Sequence, residues 1–209
     1  MLHCTVLEFL RLKMPYNDKK KIIFLHIPKT GGTTIERLFN INLFHSSRPD
    51  ERPSLQHLTC NMLCEKMGKS KYDSYYKFTF IRNPWARILS TYFWRQTLPK
   101  KRPILPFNDF INVVRDTVEN NSYYEQEFGD HFIPQIEYTT DVDDIYKYEN
   151  FSSEINTISS KLNIPISRIP SKNLKHYDHY WDFYDVRNRN IINNLYHEEI
   201  ERFGYKFGS

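Results

Sequence analysis

The run from Ile22 to Thr34, IIFLHIPKTGGTT, constrains this chain more than any other segment. IIFLHI is a short apolar stretch with no polar alternation, the pattern of a strand buried on both faces. PKTGG then breaks the extended chain. TTIERLFNI, residues 33–41, places Ile35, Leu38 and Phe39, with Leu43 beyond them, on one helical face. A strand that ends in a glycine turn and restarts as a helix directs backbone N–H groups and the positive end of the helix dipole at one point. That point suits an oxyanion. Gly31 and Gly32 let the backbone approach closely, Lys29 adds a movable positive charge, and Thr33 and Thr34 add hydroxyl donors. The plainer reading is an ordinary glycine turn with a solvated lysine. The turn is not a Walker A loop, which carries its lysine after the glycines; here Lys29 precedes them. No apolar strand ends in an aspartate that would hold Mg²⁺, so an ATP- or GTP-hydrolysing machine is disfavoured.

FTFIRNPWARILSTYFW, residues 78–94, repeats the logic. KFTFI (77–81) reads as a second buried strand, Asn83-Pro84 breaks it, and Pro84 suits the first turn of the helix that follows. Arg82 stands at the strand end, where a guanidinium can bind a phosphate bidentately, and Ser90 lies inside the next helix. Taken alone, an arginine in a salt bridge and a neutral helical serine explain the same residues.

Elsewhere the pattern predicts a short helix over 57–68 ending at Gly68, and helices near 107–118, 152–162 and 188–203. Three prolines make 99–106 a loop. Strands separated by helices predict an α/β fold around a mostly parallel sheet. At roughly 100–200 residues per domain, 209 residues make one domain. The polar stretch 15–21 separates an N-terminal segment, 1–20, from a core domain, 21–207. Twenty-nine basic against 25 acidic residues leave a net charge of +4, which suits an anionic ligand without demanding nucleic acid. Three cysteines, Cys4, Cys60 and Cys64, form no disulfide framework and fit a reducing compartment. Residues 2–14 are interrupted by Glu8, Arg11 and Lys13 and read as neither a membrane span nor a secretory signal. The sequons at Asn120 and Asn150 therefore carry little weight.

The two phosphate segments together resemble the sulfotransferases that use 3′-phosphoadenosine 5′-phosphosulfate (PAPS), and most closely their carbohydrate sulfotransferase branch. HIPKTGGT matches that branch's first motif and RNPW-x-R-x-x-S its second. HFIPQIEY (131–138), YENF (148–151) and FGYKF (203–207) resemble later motifs in the right order. The resemblance spans about 21 to 207. It implies a single P-loop-like α/β domain that needs no metal, PAPS as sulfuryl donor and a hydroxyl of a carbohydrate as acceptor. Residue by residue, it implies that Lys29 is the catalytic lysine, that Thr30, Gly31, Gly32, Thr33 and Thr34 form the 5′-phosphosulfate loop, and that Arg82 and Ser90 bind the 3′-phosphate. RIPSKN (168–173) falls where the family closes over the nucleotide, as a loose match.

Transfer to an alcohol needs a base, and histidine, which ordinarily titrates at about 6.5, suits that task. His57, in QHLT between the two phosphate motifs, is the first choice from the resemblance. His131 is the second, His26 reads as structural, and a structural role for His57 stays open. His57, Cys60 and Cys64 fall at i, i+3 and i+7, which would put them on one helical face. Without a fourth ligand they read as two buried thiols beside a histidine and not as a zinc site. Tyr72, Tyr75, Tyr76, Tyr92, Trp94, Tyr123 and Tyr124 include candidate sugar platforms, and Lys100, Lys101 and Arg102 form a basic run that would steer an acidic glycan. Two other functions stay in view: a nucleotide or small-molecule kinase reusing the phosphate turn, and a non-catalytic nucleotide-binding protein. Nearly all Golgi members of the family carry an N-terminal anchor. Without one, the chain is expected to be cytoplasmic or a piece of a longer protein. No nucleic-acid partner is expected.

Overall fold

Four strands form one sheet in the order β1-β2-β3-β4. The computed structural model describes residues 14–41, 54–98, 105–166, 168–169 and 177–209. Strand β2, Ile22–Leu25, is buried along its whole length, as a two-faced apolar strand must be. It runs parallel to β3, Tyr76–Ile81, with Phe24 opposite Phe78 and Leu25 opposite Thr79. Strand β4, Asp144–Lys147, lies parallel on the far side of β3. The two-residue β1, Tyr16–Asn17, pairs antiparallel with β2, so part of the polar 15–21 stretch joins the sheet. The fold class is therefore the α/β arrangement around a mostly parallel sheet that the strand–helix alternation predicts.

The described residues divide into two compact units, one within Met1–Ile81 and Glu137–Ser171, the other within Arg82–Ile136 and Lys172–Ser209. The first contains the sheet. Alternate residues on one face, Ile22 and Phe24 of β2, Phe78 and Phe80 of β3 and Tyr146 of β4, meet helix α1, Gly32–Phe39, through Ile35 and Phe39. Helix α6, Phe151–Lys161, covers the same face through Ile155 and Ile158. Two short helices, α2 (Cys60–Met67) and α3 (Lys69–Asp73), precede β3, and Gly68 at φ 79° separates them. The second unit packs helices α4 (Pro84–Gln96), α5 (Phe107–Glu119), α7 (Val186–Leu195) and α8 (His197–Phe203). Its core is Trp85, Ile88, Leu89, Phe110, Ile111, Val114, Phe132, Ile192, Tyr196 and Ile200.

Two predicted helices differ, and one further strand appears. The single helix expected over 188–203 is two helices, broken at Tyr196 (φ −116°, ψ 24°). The break lets the Tyr196 ring bury fully while its hydroxyl donates to the Phe132 carbonyl at 2.8 Å. The helix expected from residue 57 starts at Cys60, which leaves His57 in a turn, its N–H bonded to the Ser54 carbonyl at 2.9 Å. His57 and the cysteines therefore do not share a helical face; Cys60 is buried and Cys64 only half-buried. Strand β4 was not expected at all. DIYK lacks an apolar run because it is the last strand of the sheet, with Ile145 on its outer side exposed. Among the described residues no helix is long and apolar enough to cross a membrane. Cys4, the basic run Lys100–Lys101–Arg102 and residues 170–173 of the RIPSKN segment lie outside the described residues.

Candidate active site

β2 stops at Leu25, and the chain turns through His26, Ile27 and Pro28 into the left-handed residue Lys29 at φ 72°. The Thr30 side chain is fully buried and its hydroxyl donates to the Ile27 carbonyl at 2.8 Å, closing the turn on itself. Gly31 is left-handed as well (φ 83°) and caps α1, its carbonyl accepting from the N–H groups of Thr34 at 2.9 Å and Ile35 at 3.2 Å. Thr33 and Thr34 are half-buried, as is Lys29. No side chain caps α1, and its first turn holds no acidic residue. The helix start thus offers backbone donors and a positive dipole end without a built-in anion, a fit for a phosphate or sulfate group.

The two glycines answer to different neighbours. A Cβ on Gly32 would lie 2.0 Å from Nε2 of His26, so the imidazole packs flat against the start of the helix. A Cβ on Gly31 would lie 2.7 Å from the Phe151 ring and 3.2 Å from Tyr148, the aromatic ends of the YENF segment. Internal packing therefore requires glycine at both positions, in addition to any closeness an anion would need.

His26 is held from its other side. Its Nδ1 lies 2.8 Å from Oε1 of Glu36, a carboxylate only 2% exposed. Nε2 of Gln56 donates to both Glu36 oxygens, at 3.0 and 2.8 Å. Burying a carboxylate costs several kcal/mol unless it is paired and hydrogen-bonded, and both Glu36 oxygens have such a partner. Gln56 adjoins His57, whose ring stands edge-on to His26 with centroids 4.9 Å apart. The His57 carbonyl accepts from the Tyr138 hydroxyl at 3.1 Å. So His57 is tied to the glycine turn through Gln56, Glu36 and His26. Sequence reasoning missed Glu36 and Gln56. The signal was the i, i+4 spacing of Gly32 and Glu36, which puts a carboxylate on the face that also needs a missing side chain.

In the second unit Arg82 follows β3 directly and is half-buried. Asn83 caps α4 by accepting from the Ala86 N–H at 3.2 Å, with Pro84 in the first turn as expected. The Asn83 amide donates to the Tyr180 hydroxyl at 3.1 Å and the Lys206 carbonyl at 3.2 Å. The FGYKF tail therefore supports this turn. Arg87 of the second motif is fully buried and donates to the carbonyls of His131 at 2.8 Å and Ile133 at 3.2 Å, a structural task. Ser90 is half-buried on α4. His131 is buried and stacked on Trp94, centroids 4.6 Å apart. Gln135 binds both backbone groups of Arg82 and the carboxylate of Glu199. Burial raises Glu199 above the ordinary carboxylate value, against the pull of Arg87 and the Gln135 bonds.

A strand, a lysine-bearing glycine turn and a helix are thus followed by a second strand that runs on into Arg82, Asn83 and Pro84. The sequence model of the sulfotransferase family matches residues 13–206. The chain belongs to the sulfotransferase family. Among its relatives, carbohydrate sulfotransferase 10 of Xenopus laevis is 21% identical over 173 residues, covering 65% of this chain and 47% of that protein. The Danio rerio carbohydrate sulfotransferase 10 is 23% identical over 179 residues, covering 66% and 47%. An uncharacterized protein of Archaeoglobus fulgidus is 30% identical over 105 residues, half of this chain and 81% of that protein. The chain thus spans about half the length of the carbohydrate sulfotransferases it matches. No solved structure matches this sulfotransferase-family chain.

Proposed function

We propose that this chain is a PAPS-dependent sulfotransferase that moves the sulfuryl group to a hydroxyl of a carbohydrate. The observation that carries the reading is the turn at 26–34: Lys29 stands just before a helix start that has no side-chain cap and no acidic residue in its first turn. The family membership and the carbohydrate sulfotransferase relatives support the substrate classes.

In this reading Thr30, Gly31, Gly32, Thr33 and Thr34 hold the 5′-phosphosulfate, mainly through backbone N–H groups, since the Thr30 hydroxyl is already engaged. Arg82 and Ser90 hold the 3′-phosphate. The acceptor oxygen attacks sulfur in line, the bond from sulfur to the bridging oxygen breaks, and the electron pair leaves with the 5′-phosphate. The Lys29 ammonium neutralises charge growing on that oxygen, an interaction strongest in the transition state. His57 takes the acceptor proton, oriented by the Gln56–Glu36–His26 contacts behind it. His131, stacked on Trp94, is the second choice for that role. No step calls on a metal.

The test is calorimetry of the full chain with adenosine 3′,5′-bisphosphate against AMP. Two phosphate-binding segments predict much tighter binding of the bisphosphate. Arg82→Ala should remove about 1.5–3 kcal/mol of that preference, the worth of a charged hydrogen bond. Equal affinity of the wild-type chain for both ligands would refute the two-segment reading.

A further inference from the structure

Gln135 lies in the HFIPQIEY segment, and nothing in the proposed chemistry uses it. Its side chain is fully buried. Its Oε1 accepts from the Arg82 N–H at 2.8 Å, and its Nε2 donates back to the Arg82 carbonyl at 2.9 Å. One side-chain amide thus gives Arg82 the pair of bonds that a neighbouring strand would supply. Arg82 is the first residue beyond β3, where the ladder to β4 ends at Ile81 and Lys147. Buried or half-buried backbone groups there need partners from elsewhere.

The amide is itself held from behind. Its second Nε2 hydrogen reaches Oε1 of Glu199 at 2.8 Å, and Oε2 of Glu199 accepts from the Gln135 backbone N–H. Glu199 is only 1% exposed and sits on α8. With both carboxylate oxygens engaged, the amide cannot flip without facing its N–H₂ against the Arg82 N–H. The orientation is therefore fixed by chemistry as well as by packing.

The geometry points to Gln135 as a positioning residue that sets nucleotide specificity. It fixes the Arg82 backbone so that the guanidinium is presented to a 3′-phosphate, and Glu199 locks it in place. This rests on the proposed role of Arg82. An arginine tethered by its own side-chain contacts alone would give up rotamer and backbone freedom on binding, and the clamp removes that loss in advance.

The experiment measures adenosine 3′,5′-bisphosphate and AMP affinities for the wild-type chain, Arg82→Ala and Gln135→Ala, all full length. The clamp predicts that Gln135→Ala loses roughly tenfold to a hundredfold in bisphosphate affinity, approaching Arg82→Ala, while AMP affinity stays within about twofold. A merely structural role would weaken both ligands together. If Gln135→Ala does not fold, Gln135→Asn carries the same comparison, with an amide one methylene too short to span the Arg82 groups. A folded variant that keeps the full bisphosphate preference overturns the inference while leaving the Arg82 reading intact. Failure of both variants to fold also overturns it, by making Gln135 purely structural. Absence of any preference in the wild-type chain instead refutes the Arg82 reading, and the inference falls with it.

Discussion

His57 joins two features that sequence alone could not connect: a position between the phosphate motifs, and an anchor of Gln56, Glu36 and His26 reaching back to the glycine turn. If it removes the acceptor proton, His57→Ala should lose about 10²–10⁴ in turnover, the usual range for loss of a general base. Bisphosphate binding should stay normal, since His57 lies in neither phosphate motif. If His131→Ala loses turnover while His57→Ala keeps it, the base is His131. Gly32 makes a separate residue-scale prediction. Its absent side chain is the space that the His26 ring fills, and His26 cannot yield without breaking its 2.8 Å contact with the buried Glu36. Gly32→Ala should therefore destabilise the chain by about 1–3 kcal/mol or more, as overpacking does, measured by urea unfolding. An unchanged midpoint would mean that the ring has room to move.

At the scale of elements, the short helix α8 matters through one side chain. Glu199 is buried, and its carboxyl titrates above the usual range because burial disfavours its charge, although Arg87 and the Gln135 bonds oppose that. An acid with a raised folded value binds more protons folded than unfolded. Stability therefore falls as pH rises from the ordinary value of 4.5 and levels off once the raised value is passed. Compared with Glu199→Gln at each pH, the wild-type chain should be relatively most stable below that window and lose ground through it. A difference that stays flat with pH would contradict the shift. The same element shows where sequence reading ran out. Residues 188–203 look like one helix because its periodicity survives the break at Tyr196, whose demand is a tertiary hydrogen bond to Phe132. β2, β3, α1 and α4 were legible because each carries its own signal: an unbroken apolar run, a glycine or Asn-Pro boundary, an apolar stripe. β4 carried none, because its stability comes from pairing with β3 and from Asp144, which accepts from the Tyr76 and Tyr146 hydroxyls. In the candidate site, Lys29, the two glycines and Arg82 stood out by type and order. Glu36, Gln56, Gln135 and Glu199 did not, since buried polar residues are recognisable only by partners distant in sequence.

For the whole molecule, a sulfotransferase family match over 13–206 sits on a chain that spans about half of the carbohydrate sulfotransferases it resembles. A region of this extent contains both candidate phosphate-binding motifs, the two histidine candidates and the segments that brace them. In the proposed function these residues move a sulfuryl group, and Lys29 acts on the leaving oxygen. The direct test incubates the full chain with PAPS carrying a radiolabelled sulfuryl group and a panel of hydroxyl-bearing oligosaccharides, in parallel with Lys29→Ala. The wild-type chain should place label in a carbohydrate product. Lys29→Ala should show a far lower transfer rate at saturating PAPS and nearly unchanged affinity for adenosine 3′,5′-bisphosphate. Label transferred equally well by Lys29→Ala, or tight PAPS binding with no transfer to any carbohydrate offered, would contradict the proposed function.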